Sequence, residues 1–440
     1  MNVSIITVFP ELYEPFLSVS LIKRAQEKGL IGIDVQSFFS LVPPKKRIDA
    51  ATFGPGSGML IRPEVVQDAV ERQEKAHGKA FKIFFSPQGE PLNQRLLAKI
   101  AVQAQHAGHV MLFPARYEGM DARVEQEYAD MIVSVGDFVL MGGDIPAMML
   151  LEGFLRLIPG IVGKEESVHE ESFTGPFTDY PEYTEPVEWK NRLVPDIVRS
   201  GNHAAIADWR MHQAARTSVR KHFSWMRSHA MTKKQQDCAA SYMPRHYVAL
   251  VHGDVLIGGE RGVGTTSVTS IDLHDIARSC ATYGVKEFFV VTPLLDQKRI
   301  VKKLLDFWCS DNGIMYNKSR HRAVKLVTVQ DTIEQTIAAI EQQEGVAPLV
   351  IATSAVTGLV HAPLITFYDQ VTAWQLDRPV LLVFGTGQGL RPEFLCQCDF
   401  QLLPIEGFSD FNHLSVRSAV AVVLDRWLGI NSKDGGNQGE

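Results

Sequence analysis

Residues 116–147 read RYEGMDARVEQEYADMIVSVGDFVLMGGDIPA. Gly136, Gly142, Gly143 and Pro146 crowd the second half of this stretch. A regular helix or strand interior does not carry that many, because Gly is entropically costly there and Pro lacks an N–H. The backbone must turn sharply here or let a ligand come very close. Just upstream, Arg116, Glu118 and Asp121 supply a guanidinium and two carboxylates, groups that can read the polar edge of a nucleobase. Glycines alone also occur in plain connections between strands, so the flanks must decide between the two readings.

Working outward, the β-branched and aromatic runs at 3–8, 33–39, 81–85 and 109–113 read as strands, and 12–29 and 63–78 as helices. This alternation predicts an α/β fold. SPQG (Ser86, Pro87, Gln88, Gly89) and ARYEG follow two of these strands directly, at the carboxyl ends where open α/β sheets bind ligands. Gly54, Gly56 and Gly58 mark a second place of close backbone approach. Residues 145–157 form an apolar helical stretch with Arg156 near its end. Glycines and acids over 160–188 lack any period and predict a flexible linker. The helical region 204–238 then carries Arg210, Arg216, Arg220, Lys221, Arg227, Lys233 and Lys234 against Asp208 and Asp237. Such an excess suits either a solvated face or contact with nucleic-acid phosphates, and on an acidic chain the second is favoured.

Strand and helix alternation resumes near Tyr247 and runs to FGTGQGL (384–390), LLPIEG (402–407) and FNHLSVRSAVAVVLDRWLG (411–429). At 440 residues the chain has room for two or three domains. Its 45% hydrophobic and 21% charged content excludes wholesale disorder. A net charge of −6 means that any RNA contact must come from local basic patches. The five cysteines are odd in number and mostly scattered, which fits a reducing compartment, and Cys396 and Cys398 lack the second pair that zinc needs. No metal-ligand spacing is evident. Early acidic residues argue against a signal peptide, and no apolar run approaches membrane-spanning length. The expectation is a cytoplasmic protein with no membrane contact.

The blocks Phe9-Pro10, GPGSGML (54–60), SPQG, RYEGMD, SVGDFVL (134–140), IPG (158–160), ESF (171–173), YT (183–184), SGNH (200–203) and Arg216-Thr217 occur in this order. Together they resemble the bacterial tRNA (guanine-N1) methyltransferases over residues 1–243. These are S-adenosylmethionine (SAM) enzymes of the trefoil-knotted SPOUT class, acting on the guanosine immediately 3′ of the anticodon. The resemblance implies a homodimer that binds SAM through Ser86, Pro87, Gln88, Ala115, Val135, Gly136, Asp137, Phe138, Val139, Leu140, Gly142 and Pro146. For tRNA it implies Gly56, Arg116, Glu118, Asp121, Asp179, Ser200, His203 and Arg216. It implies magnesium assistance too, with Asp179 or Glu118 beside a hydrated ion.

Guanine N1 carries a proton at neutral pH, so methylation there needs a base for that proton and a cation for the charge developing on O6. By resemblance these are Glu171 and Arg156. The family has Asp where Glu171 stands, Gly at Ala115, Glu at Asp144, and His and Arg where Glu182 and Glu185 flank YT. A longer base shifts the carboxylate, and a positioned site is sensitive to displacements of about 1 Å.

The last three blocks of the second half more loosely resemble an uncharacterised SPOUT-type RNA methyltransferase domain, with Gly385, Gly387, Gly389, Ile405, Asn412 and Ser415 around SAM. Gly387 replaces the Glu of many SPOUT enzymes. A non-catalytic RNA-binding or structural module is the alternative for this half. A nicotinamide oxidoreductase would need an early strand running into G-x-G-x-x-G, which is missing. The expected organisation is a catalytic domain at 1–160, a linker at 161–188, a basic helical tRNA-binding subdomain at 189–244, a second SPOUT-like domain at 245–430 and a disordered tail at 431–440.

Overall fold

The apolar runs of the first half pair into one five-stranded, all-parallel sheet. Its strands are β1 (Asn2–Thr7), β2 (Gly32–Ser37), β3 (Phe81–Pro91), β4 (His109–Phe113) and β5 (Met131–Ser134), in the order β2-β1-β4-β3-β5. All of β4 and the first five residues of β3 are buried, as a parallel sheet covered on both faces requires. Helix α1 (Pro63–His77) packs Val65, Val66 and Ala69 with Phe84 and Phe113 on one face. Helices α2 (Gln94–Ala107) and α3 (Asp144–Leu155) pack Ile100, Leu150 and Phe154 with Ile83 and Leu112 on the other. The helix boundaries follow local chemistry. Pro63 opens α1, and Asn93 caps α2 by accepting from the Leu96 N–H at 3.0 Å.

This computed structural model describes residues 1–54, 58–163, 171–258, 262–355 and 362–430. Gly56 and the tail at 431–440 lie outside the described residues. The chain divides into two compact units, Met1–Thr174 and Gly175–Glu440.

The second unit holds a seven-stranded, all-parallel sheet. Its strands are β6 (His246–Val251), β7 (Glu287–Val291), β8 (Val327–Gln330), β9 (Leu349–Thr353), β10 (Leu364–Ile365), β11 (Val380–Gly385) and β12 (Phe400–Leu402). Their order is β8-β7-β6-β11-β9-β12-β10. Matched by chain order, β7-β6-β11-β9-β12 repeats β2-β1-β4-β3-β5, and β8 and β10 extend the two edges. The protein therefore carries the same α/β architecture twice.

Helices α4 (His203–Lys221), α5 (Phe223–Arg227) and α6 (Lys233–Ala240) lie in this unit too. Val219, Phe223, Met226 and Ala239 share one core cluster with Val248, Leu382, Trp374 and Trp427. Thr178, within the stretch expected to be a linker, is buried, and its N–H donates to Ser218 Oγ at 2.8 Å. His246, at the start of β6, is fully buried. Its Nε2 accepts from the indole N–H groups of Trp427 (3.1 Å) and Trp374 (3.3 Å), and Nδ1 donates to the Pro244 carbonyl at 2.7 Å. Burial pushes its pKa down to about 4, so the ring is neutral at neutral pH.

Candidate methyl-transfer sites

In the first unit the Gly pair is a close backbone approach. The Gly143 N–H donates to the Ala115 carbonyl at 2.7 Å. A Cβ on Gly143 would stand 2.8 Å from both Ala115 N and Pro114 Cα, which are backbone atoms with nowhere to go. Ala115 is absent from the positive-φ residues, so its methyl brings no backbone strain in place of the family's Gly, whereas Tyr117 takes a φ of +59°. Around SPQG, β3 bulges against β5, where Phe85 and Glu90 both pair with Val133. Ser86 Oγ accepts there from the Gln88 N–H at 3.2 Å.

Arg116 is engaged inside the protein. Its Nε donates to Asp144 Oδ2 at 2.8 Å, and its guanidinium lies 4.8 Å from the centre of the Phe9 ring. Asp144 is 1% exposed and also accepts from Thr7 Oγ1 (2.6 Å) and the Tyr13 hydroxyl (3.1 Å). Burial, and then the Asp144 charge, push the Tyr13 hydroxyl well above the usual phenol range. Asp144, a departure from the family pattern, is thus the hub of a buried polar network. Thr7 and Tyr13 carry no sequence motif and were not legible as site residues.

Asp121 likewise has a structural post. It caps the helix Ala122–Tyr128 by accepting from the Arg123 N–H at 3.0 Å, and the Arg123 guanidinium holds its carboxyl below the usual carboxylate range. Glu118 packs against the glycine loop, where a Cβ on Gly58 would fall 2.3 Å from Glu118 Cγ. The two residues expected as base and cation lie in contact. Arg156, the cap residue ending α3, donates through Nη2 to Glu171 Oε1 at 2.5 Å. Glu171 Oε2 is buried and, among the described residues, has no hydrogen-bond partner. Glu170, its neighbour, lies outside the described residues.

The remaining tRNA candidates belong to the second unit. Ser200 Oγ donates to the Ile197 carbonyl at 2.8 Å, while His203, Arg216 and Asp179 are exposed. Much of the basic excess is spent locally. Arg220 pairs with Asp377 (2.6 Å), Lys233 with Asp237 (2.7 Å) and Lys234 with Asp208 (2.9 Å). Arg227 donates to the carbonyls of Asp425 and Arg426, and Arg210 stacks over Tyr180.

Beyond the carboxyl ends of β9, β11 and β12 opens a cavity of about 750 Å³, within the range of small-molecule sites. Gly385, Gly387, Gly389, Ile405, Asn412 and Ser415 all line it. Gly387 has a φ of +63°, and a Cβ there would stand 2.7 Å from the Leu256 carbonyl oxygen, so the Glu of other SPOUT enzymes does not fit. His252, Thr266 and Asp272 also line the cavity and were missed by sequence reasoning.

Residues 1–226, more than half of the chain, match the family model described as tRNA (Guanine-1)-methyltransferase TrmD. The chain belongs to this tRNA (guanine-1)-methyltransferase family. Unlike a single-domain member, it carries a second domain, since residues 245–429 match the model described as SAM-dependent RNA methyltransferase. A relative from Nitratidesulfovibrio vulgaris, named tRNA (guanine-N(1)-)-methyltransferase, is 36% identical over 441 residues, covering 98% of this chain and 99% of its own length. Proteins of the same name from Staphylococcus epidermidis (34% identical, 55% of this chain, 97% of theirs) and Thermus thermophilus (39%, 50% and 89%) are shorter. The family therefore includes members of both lengths. Both domain families imply SAM, and the Gly143 approach and the 750 Å³ cavity are compatible with it. Magnesium is a different matter. Among the described residues no group of three or more His, Cys, Asp or Glu could hold a metal ion. Among the same residues no helix is long and apolar enough to cross a membrane.

Proposed function

We propose that the first unit methylates N1 of the guanosine immediately 3′ of the anticodon in tRNA, and does so as a cytoplasmic homodimer. The observation that carries this reading is the Arg156–Glu171 pair, in which one carboxylate oxygen has no partner among the described residues. The N1 proton passes to Glu171, the N1 lone pair forms the new bond to the methyl carbon as the bond to sulfur breaks, and Arg156 stabilises charge on O6. SAM supplies the electrophilic methyl. The loops after β3, β4 and β5 hold it, with the trefoil knot that the SPOUT class implies.

Two features support the homodimer. Helix α3 has twelve residues, so its ends are about 18 Å apart at 1.5 Å per residue. Gly142 and Pro146 lie at one end and Arg156 with Glu171 at the other, too far to serve one methyl group within a chain. Phe138, Val139, Met141, Ile145 and Met149 meanwhile are exposed apolar side chains on the loop before α3 and on its first turns, the kind of surface that a partner covers. A twofold pair would bring one chain's SAM loops to the other chain's Arg156 and Glu171. The helical region supplies tRNA-phosphate contact through Arg216 and Lys221, and the second unit binds its own SAM and methylates RNA.

The test is Glu171→Gln. Removing the base should lower kcat for N1 methylation by roughly 100-fold or more while leaving SAM affinity within a few-fold, because the lost interaction belongs to the transition state. Substantial retained turnover would take the role away from Glu171.

A further inference from the structure

The cavity of the second unit has two walls. One is formed by the glycine turn after β11 together with Ile405, Asn412 and Ser415, the blocks that carry the SAM reading. The other comes from the end of β6 and from helix α7 (Ser270–Thr282) with the segment before it: His252, Thr266 and Asp272. No SAM motif includes these three residues.

Proton counting fixes the state of His252. Thr386 Oγ1 lies 2.8 Å from the Val251 carbonyl, which can only accept, so the single Thr386 hydroxyl proton is committed there. Thr266 Oγ1, 2.5 Å from Thr386 Oγ1, must then be the donor between the two hydroxyls. With its proton given away, Thr266 can only accept from His252 Nδ1, 2.9 Å away. The imidazole is therefore protonated at Nδ1 and carries a bare lone pair at Nε2. His252 is 1% exposed, and among the described residues its Nε2 has no hydrogen-bond partner. An unsatisfied buried acceptor is costly, and such groups persist where they have work to do. Burial lowers its pKa to about 4, against the opposing pull of the nearby Asp272 charge, so the ring is neutral. Asp272 itself is already occupied, accepting from Thr269 Oγ1 at 2.6 Å and pairing with Arg417 at 3.3 Å.

We infer that His252 Nε2 is the base of the second unit, and that it takes a proton from the RNA atom being methylated. This rests on reading the cavity as a SAM site. The acceptor is then a proton-bearing group, a ribose hydroxyl or a base N–H, and not a bare ring nitrogen. In the step, a lone pair of the acceptor oxygen or nitrogen forms a bond to the methyl carbon. The sulfur–carbon bond breaks with its electron pair going to sulfur, and the acceptor's proton moves to Nε2. Positive charge disappears from the sulfonium as it appears on the imidazolium, so the pocket's net charge is unchanged, and Asp272 stabilises the product side. A ring nitrogen without a hydrogen would have no proton for this lone pair.

Full-length wild type and His252→Gln, with His252→Ala as a second variant, are compared in three measurements. Calorimetry with SAM should give two sites per wild-type chain and the same number in the variants. One site per wild-type chain would overturn the SAM reading of the cavity itself. Incubation with labelled SAM and unmodified tRNA and rRNA transcripts, followed by nucleoside mass spectrometry, should yield N1-methylguanosine plus a second product from the wild type. The second product should be methylated on a ribose oxygen or on a nitrogen that bore hydrogen, and should fall at least 100-fold in both variants. Its persistence in the variants, its absence from the wild type, or methylation of a hydrogen-free ring nitrogen would each overturn the inference. Long-range proton–nitrogen NMR of the wild type at neutral pH should show the Nδ1–H tautomer for His252, and the Nε2–H tautomer would overturn the inference without any substitution.

Discussion

The two sheets share a central five-strand order, yet the polar groups set on their carboxyl ends differ in kind. In the first unit they are charged and paired, Arg116 with the buried Asp144, and a second such pair, Arg156 with Glu171, stands at the opposite end of α3. In the second, a neutral relay runs from His252 through Thr266 and Thr386 to the Val251 carbonyl. The lesson is that apolar runs build the sheet, while a few residues at its rim decide the chemistry. A carboxylate beside a guanidinium suits an acceptor whose proton loss leaves charge on a carbonyl. A neutral imidazole suits one that hands its proton over as the methyl arrives.

The sharpest way to break this contrast is to ask whether the first unit, unlike the self-contained cavity of the second, needs two chains. Gly142→Val should drive a side chain into Arg116, whose Cδ lies 2.5 Å from where a Cβ would sit, and Glu171→Gln removes the base. Each homodimer should form no N1-methylguanosine in tRNA. In mixed dimers with shared sites one site inherits both lesions and the other neither, so random re-pairing should restore roughly a quarter of wild-type activity. Mixtures that exchange subunits by mass spectrometry yet stay inactive would mean that each chain uses its own base.

Next in size is the buried ion pair. Asp144→Asn leaves Arg116 without its counter-charge, and denaturant unfolding of the first unit should show a loss of about 3 kcal/mol. A loss below about 1 kcal/mol would show that Arg116 readily finds solvent instead. The second unit should respond to acid through His246. Its folded pKa of about 4 lies below the unfolded value near 6.5, so between these limits the unfolded chain binds more protons. Stability therefore falls as pH is lowered through this window, by up to about 3 kcal/mol in all. Trp374 and Trp427 fluorescence reports the transition, and His246→Gln should weaken its pH dependence, leaving the share of His252, whose pKa is also about 4. A curve unchanged by that substitution would place the acid sensitivity elsewhere. The smallest expected effect is Ala115→Gly, which restores the family residue at a position with no positive φ. Stability should drop by about 0.5 to 1 kcal/mol with methylation intact, whereas a marked gain in turnover would mean that the Ala115 methyl obstructs the cofactor.

Much was legible along the chain because it is written in local pattern. Fully buried strands such as 81–85 and 109–113 announce themselves as apolar runs. Pro63 and Asn93 mark where helices begin, and the ordered blocks carry the family resemblance over residues 1–243, of which the family model matches 1–226. The six residues read as the second SAM site do line one cavity. What only the tertiary structure decided joins residues far apart in sequence. Thr7 reaches Asp144 across 137 positions and Thr266 reaches Thr386 across 120, and no periodicity links such partners. For the same reason the chain read in order does not show that Arg116 faces Asp144, Arg220 faces Asp377 or Lys234 faces Asp208. Sequence specifies which side chains are able to ionise or donate. Whether a given proton or charge is available for chemistry depends on which neighbours the fold has already placed against it.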